Sequence, residues 1–175
     1  MRYVAFLHGV NTVDGNSTDM ADIKKHFEFL GFKNVSTYVQ SGNVIFETEG
    51  SDSDSLRWMI EPYLERALGF KVPVILRTTD DIRDIIDNNP FASLKQNDTD
   101  KWYVTLLSDV PERAANGTLG VYSNDAEYAR VVKSEVYIFA RNYTRTHFSN
   151  SYLERKLGLA ATTRNWDTVY KLAML

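Results

Sequence analysis

The chain has 175 residues, and its 20 basic and 23 acidic residues give a net charge of −3. A chain of this length can bury a hydrophobic core without added cross-links, either as one domain or as two small packed halves. The absence of cysteine excludes disulfides, thiolate nucleophiles and cysteine-based zinc sites.

Hydropathy and charge also restrict the location and the partners of the chain. No apolar stretch approaches the roughly 20 residues of a membrane helix, and residues 1–9 read as a strand rather than an export signal. We therefore expect a soluble, cytoplasmic protein that makes no membrane contact. The acidic balance provides no general attraction for nucleic acid.

Six elements are predicted in the first part of the chain from apolar periodicity. A glycine- and asparagine-containing turn at residues 40–43 predicts a hairpin between its two middle strands. Pro62 is expected to kink or split the second helix. The elements are a strand at residues 3–7, a helix with Met20, Ile23, Phe27 and Leu30 on one face, strands at 35–39 and 44–46, a helix with Leu56, Ile60, Leu64 and Ala67 on one face, and a strand at 72–76.

The order β-α-β-β-α-β is that of a ferredoxin-like unit, and the rest of the chain shows an irregular version of it. The predicted elements there are helices at residues 79–89, 111–116, 150–157 and 165–175, and strands at 102–107, 128–132 and 136–140. The sequence therefore predicts an α+β fold of two ferredoxin-like halves, residues 1–78 and 79–175, with an extra C-terminal helix in the second.

Two turn segments could bind a ligand. The loop at residues 8–16 leaves a strand and enters a helix, which is where phosphate-binding loops occur, although its glycine spacing matches no established fingerprint. The hairpin turn at residues 40–43 offers hydroxyl and amide groups. Both segments can equally be explained by the glycines and asparagines that turns require.

The strongest sequence signal for a site lies at residues 161–167. If Thr163 is the N-cap of the last helix, Arg164 falls in the first turn, where the helix dipole disfavours a cation. A bound anion would reverse that effect, with Thr162, Thr163, Arg164 and Asn165 around it. The alternative is a structural ion pair of Arg164, for which Asp167 is within local reach.

Histidines are the remaining candidates for chemistry. His8, His26 and His147 could each act as a general acid or base, and His26 is expected on the surface. No metal-ligand spacing accompanies any of them, so neither a metal nor a cofactor is predicted. The serines lie in no nucleophile elbow.

Three segments together resemble the family called domain of unknown function 1697. They are residues 4–11 (VAFLHGVN), 38–46 (YVQSGNVIF) and 161–169 (ATTRNWDTV). The resemblance spans the chain and implies a bacterial protein with a compact α+β fold built on ferredoxin-like halves. It implies no activity, substrate or catalytic residue.

The chain departs from the family pattern at three basic positions. His8 stands where the family usually has arginine, and Gly15 and His147 stand where it usually has lysine. If the family binds an anion, this chain should bind it more tightly below about pH 6.5, where histidines protonate. Arg145 and Arg164 would remain as permanent positive charges.

Several functions follow as hypotheses. The first is the binding of a small anion, such as a nucleotide or phosphorylated metabolite. Alternatives are an enzyme that uses His8 or His147 as acid or base, and an interaction module that uses an open sheet face. The acidic charge disfavours nucleic-acid binding, and the sequence leaves homo-oligomer formation open. The predicted ligand-binding residues are Asn11, Ser41, Asn43, Arg145, Thr162, Thr163, Arg164 and Asn165.

Overall fold

The structure is a computed structural model that describes residues 1–10, 17–38, 42–50, 52–112, 122–123, 126–141 and 146–175. The chain divides into two compact units, Met1–Asp81 and Ile82–Leu175, which are called unit 1 and unit 2 below. The division predicted from sequence after residue 78 stays a prediction about domain organisation. Among the described residues, none of the helices combines the length and the apolar character that crossing a bilayer requires.

Unit 1 contains a four-stranded antiparallel sheet in the order β2-β3-β1-β4. This is the strand order of a ferredoxin-like fold, because the first strand lies between the third and the fourth. Its elements are β1 (Arg2–Leu7), α1 (Met20–Phe29), β2 (Lys33–Tyr38), β3 (Asn43–Glu47), α2 (Ser53–Leu68) and β4 (Val74–Thr78).

The core of unit 1 joins one face of this sheet to the buried stripes of both helices. Phe27 of α1 packs against Phe32 and Phe46, with ring centroids 5.8 and 5.4 Å away. Helix α2 contributes Leu56, Ile60 and Leu64, all buried, at the spacing predicted from sequence. The recurrence of apolar residues every three or four positions therefore identified three buried residues of α2, whereas Ala67, predicted on the same face, is exposed.

Helix α2 runs without interruption through Pro62, so the proline does not split the helix, and a kink there, the other predicted outcome, stays a prediction. Proline removes the hydrogen bond to the carbonyl four residues earlier, here that of Trp58. Pro62 and Trp58 are both exposed, so water can hydrate the released carbonyl group. The helix therefore tolerates the proline on its solvent side.

Helix α3 (Thr79–Asp87) follows β4 directly, and unit 2 then repeats the strand order of unit 1. Its sheet has the order β6-β7-β8-β5-β9, in which β5, β7, β8 and β9 correspond to β1, β2, β3 and β4 of unit 1. Its further elements are β5 (Lys101–Leu107), β6 (Tyr122–Ser123), β7 (Glu127–Val132), β8 (Glu135–Ala140), α4 (Asn150–Leu157), β9 (Ala161–Asn165) and α5 (Trp166–Ala173).

The predicted fold class, α+β with two ferredoxin-like halves and an irregular second half, is therefore confirmed. The irregularity is the two-residue strand β6 at the sheet edge and the additional helix α5. The short helix predicted at residues 111–116 falls mostly outside the described residues.

Strand β9 corrects the prediction that Thr163 caps the last helix. Residues Ala161–Asn165 pair with β5 as an edge strand, and Asn165 is the N-cap of α5, because its side chain accepts a hydrogen bond from the Thr168 N–H. Arg164 therefore lies in a strand and not in a helical turn. The β-branched Thr162 and Thr163 fit a pleated strand, and the pairing with β5 decides the conformation.

Candidate functional site

The end of β1 and the β2–β3 hairpin come together in unit 1. The Leu7 N–H donates a hydrogen bond of 2.8 Å to the Gly42 carbonyl, and the His8 N–H donates one of 3.0 Å to the Pro73 carbonyl. We call this region, formed by residues 7–10, 42–43 and 73, the β1 junction. It brings together two segments that the sequence selected separately, the first loop and the hairpin turn.

Gly42 makes this close approach feasible. Its φ is +75°, and a Cβ atom there would lie 2.5 Å from Val10 Cγ2 and 3.1 Å from the Leu7 carbonyl oxygen. Both the backbone conformation and the lack of space therefore require glycine at this position. The hairpin glycine is explained by contact with the first loop as well as by the turn.

His8 carries an unsatisfied polar atom at the β1 junction. Its side chain is half-buried, and its Nδ1 atom is shielded from solvent and has no hydrogen-bond partner among the described residues. A buried nitrogen in this state costs about 1–3 kcal/mol relative to one that is paired. The next residue, Gly9, has a φ of +76°, so the chain turns sharply at the histidine. Among the described residues of unit 1, His8 is therefore one whose side chain would gain from a further partner.

Asn43 belongs to the same region but has a structural role. It is fully buried, and its Nδ2 donates a hydrogen bond of 2.9 Å to the Tyr38 carbonyl across the hairpin. It makes further interactions as well. Two predicted ligand-binding residues, Asn11 and Ser41, lie outside the described residues. The same is true of Gly15, which stands where the family usually has lysine.

The four predicted residues of the β9 segment occupy both faces of the second sheet. Thr162 and Arg164 are buried on the face that carries Leu106 and Val104, their partners in β5. Arg164 Nη1 donates hydrogen bonds of 2.7 Å to Thr162 Oγ1 and 2.9 Å to the Thr163 carbonyl. Burial lowers the pKa of Arg164 to about 10, so its guanidinium stays charged at neutral pH.

Thr163 and Asn165 point away from that face. Thr163 Oγ1 donates to Asn150 Oδ1 at 2.6 Å and also lies 2.7 Å from Thr105 Oγ1, which can donate to it. Asn165 Oδ1 accepts the Thr168 N–H at 2.8 Å. Asp167 does not pair with Arg164. Each of the four residues thus has a hydrogen-bond partner within unit 2, and the pattern Thr-Thr-Arg-Asn does not gather around one point.

His147 is held by a buried carboxylate. Glu127 is fully buried, and His147 Nδ1 lies 3.1 Å from its Oε2 atom, which also accepts the His147 N–H at 3.2 Å. Thr146 Oγ1 donates to Glu127 Oε1. The His147 side chain is 74% exposed, so this contact directs Nε2 towards solvent. Sequence reasoning selected His147 but missed Glu127, because the two residues meet only through folding.

The predicted contact Arg145 lies outside the described residues. Within the part of the chain that the structure describes, no group of three or more histidine or carboxylate side chains could hold a metal ion.

A cleft in unit 2 was not predicted from sequence. It has a volume of about 380 Å³ and lies between the segment that precedes β5 and the start of α5. Trp102 and Trp166 meet edge to face in its wall, with ring centroids 5.6 Å apart. The Trp102 indole N–H is buried and has no acceptor among the described residues. Of its lining, only Asn165 was predicted as a ligand contact, because the two lining segments, residues 96–103 and 165–167, lie far apart along the chain.

Comparisons with known proteins agree with this description. The family model described as protein of unknown function (DUF1697) matches residues 1–137. Among solved structures, the chain resembles the conserved bacterial protein SP0830 from Streptococcus pneumoniae, with a TM-score of 0.76 at 18% identity over 99% of this chain and 97% of that chain. At this identity the likeness establishes the fold alone. No curated protein sequence matches the chain.

Proposed function

Since the chain belongs to the DUF1697 family of proteins of unknown function, which carries no activity over to it, we propose that it binds a small anionic ligand at the β1 junction. The class of ligand is a nucleotide or a phosphorylated metabolite. The observation that carries the proposal is the Nδ1 atom of His8, which is shielded from solvent and has no hydrogen-bond partner in the described part of the chain.

The chemistry of this position suits an anion. An imidazole nitrogen that carries a proton donates a hydrogen bond to a phosphate or carboxylate oxygen, and a second proton on the ring adds a positive charge. By resemblance, the family usually has arginine at the position of His8, which is a permanent donor to such groups. A histidine there would provide the same contact in a pH-dependent form.

The ligand contacts that were predicted from sequence form a separate part of this proposal, which does not depend on His8. Asn11, Ser41, Asn43, Arg145, Thr162, Thr163, Arg164 and Asn165 stay predicted ligand contacts. The internal hydrogen bonds of Asn43 and of the β9 segment account for those side chains without a ligand. His8 is therefore the first residue to test.

Substitutions of His8 test the proposal directly. Binding of inorganic phosphate, nucleotides and sugar phosphates would be measured by calorimetry and thermal shift at pH 6 and pH 8. We expect His8→Ala to weaken binding about tenfold or more, the loss of one charge-assisted hydrogen bond of about 1.5–3 kcal/mol. His8→Arg should bind at least as tightly at pH 8 as at pH 6, whereas the natural chain should favour pH 6.

His26→Ala is the matched control, because His26 is a second histidine of unit 1 whose Nδ1 already contacts Tyr63 Oη at 3.2 Å. Equal binding by the natural chain and His8→Ala would contradict the proposal. So would a pH dependence that survives in His8→Arg. An Arg164→Ala arm, with its melting temperature recorded, tests the contact predicted for the β9 segment.

A second candidate function is acid–base catalysis by the pair Glu127 and His147. The observation in its favour is the buried carboxylate that holds Nδ1 and leaves Nε2 facing solvent. A carboxylate in this position fixes the tautomer in which Nδ1 carries the proton, so Nε2 can accept one from a substrate. The interaction module stays a prediction.

This candidate predicts a hydrolytic or transfer activity that depends on both residues. A panel of nitrophenyl esters and phosphates should reveal turnover with a bell-shaped pH profile, and His147→Ala should abolish it. Glu127→Gln should lower the rate by up to about 10⁴, the loss seen when an orienting carboxylate is replaced by an amide and the histidine takes the wrong tautomer. Nitrogen NMR of His147 should show the Nδ1–H tautomer. A His147 tautomer that carries its proton on Nε2 would exclude this role.

A further inference from the structure

We propose that the cleft of unit 2 binds a small organic cation, an ammonium ion on an apolar body that also carries a hydrogen-bond acceptor. The cleft lies within one unit and consists of described residues only. Its volume of about 380 Å³ is in the range of small-molecule sites. The argument rests on three features of its wall: its rings, its charges and one unsatisfied donor.

The rings suit a cation. Trp102 and Trp166 both line the cleft, lie edge to face and are only partly exposed. The face of a tryptophan ring is the strongest π surface that proteins offer to an ammonium ion. A neutral apolar ligand would gain contact with the same rings but not this attraction.

The charges favour the same sign. Asp98 and Asp167 line the cleft, are exposed, and form no ion pair with any described residue. The third carboxylate, that of Asp100, is buried, accepts the Asn97 N–H at 2.8 Å and lies 3.9 Å from Arg141 Nη1. One ammonium group, that of Lys101, opposes them. The wall therefore has a net negative charge, which attracts cations and repels anions.

The unsatisfied donor is the indole N–H of Trp102. It is shielded from solvent and has no acceptor among the described residues. A buried donor without a partner is unfavourable, so a ligand that displaces the groups covering this nitrogen and brings an oxygen to it gains from that contact. A hydroxyl group close to the ammonium group meets both requirements.

Three compounds with one phenyl-carbinol core separate these effects. 2-Amino-1-phenylethanol is a cation at pH 7, 1-phenylethanol is neutral, and mandelate is an anion. Binding would be followed by calorimetry and by tryptophan fluorescence in a Trp58→Phe background, because Trp58 is 71% exposed and would otherwise add to the signal of the two cleft tryptophans. The cation should bind about tenfold or more tightly than the neutral alcohol, and mandelate should bind least.

Charge-removing variants locate the site. Asp98→Asn and Asp167→Asn should each weaken binding of the cation several-fold and leave 1-phenylethanol unchanged. Asp109→Asn removes the same charge from an exposed residue of unit 2 outside the cleft, and it should have no effect. Trp166→Leu should weaken binding of all three compounds, with melting temperature as the check on folding.

Several results would overturn the proposal. They are similar affinities for the three compounds, an effect of Asp109→Asn as large as that of Asp167→Asn, or no saturable binding of the cation up to about 10 mM. The outcome is independent of the anion proposal, because that one concerns His8 in unit 1 and a ligand of opposite charge.

Discussion

Single residues of this chain show how much depends on one atom. Gly42 is required because a methyl group would collide with Val10, and His8 is notable because one nitrogen has no described partner. Asn43 has a polar amide side chain of the kind that binds ligands, but its Nδ2 atom donates a hydrogen bond that closes the hairpin. For single residues, the side-chain type in the sequence identified candidates for a site. The contacts of each residue in the structure showed its role.

The clearest stability prediction at the residue scale concerns Gly42. Gly42→Ala combines a left-handed backbone conformation with a Cβ atom 2.5 Å from Val10 Cγ2, and we expect a loss of about 2–4 kcal/mol in the free energy of unfolding. Gly50→Ala is the control, because its φ is +67° but nothing lies within 4 Å of the added atom. It should lose only about 1 kcal/mol. Equal losses in denaturant unfolding would show that Val10 moves away freely.

Elements of this chain are specified mainly by caps and by pairing. Asp19 and Asp52 cap α1 and α2, and Gly69 ends α2 with a φ of +81°. Strand β9 is the exception, since Thr162, Thr163 and Arg164 read as a helix start and are in fact paired with β5. A short edge strand has no periodicity of its own, so its conformation depends on the neighbouring strand.

At the scale of the element, α5 provides the test of the corrected cap. Asn165→Ala should lower the free energy of unfolding by about 0.5–2 kcal/mol, because it leaves the Thr168 N–H without its acceptor. Asn165→Asp keeps an acceptor at the same place and should be close to the natural chain. Denaturant unfolding of both variants provides the comparison. No loss in Asn165→Ala would mean that another group caps α5.

In the molecule as a whole, the two units share one strand order but carry different candidate sites. Unit 1 carries His8 at the β1 junction, and unit 2 carries the cleft and the pair formed by Glu127 and His147. The likeness to a protein at 18% identity shows that the architecture is compatible with very different sequences. The shared fold therefore cannot indicate a function. The candidates are separated by three experiments: anion binding at His8, turnover by Glu127 and His147, and cation binding in the cleft.

The sequence by itself determined the order of elements in unit 1, most of the buried positions on the helices and the fold class, because these depend on local periodicity, turn residues and the short connections between neighbouring strands. It also directed attention to His8, His147 and Arg164. Only the tertiary structure decided that Arg164 lies in a buried strand, that Glu127 holds His147, and that Trp102 and Trp166 form a cleft. Each of these facts joins residues distant in the chain, and such contacts arise from packing that no local pattern encodes.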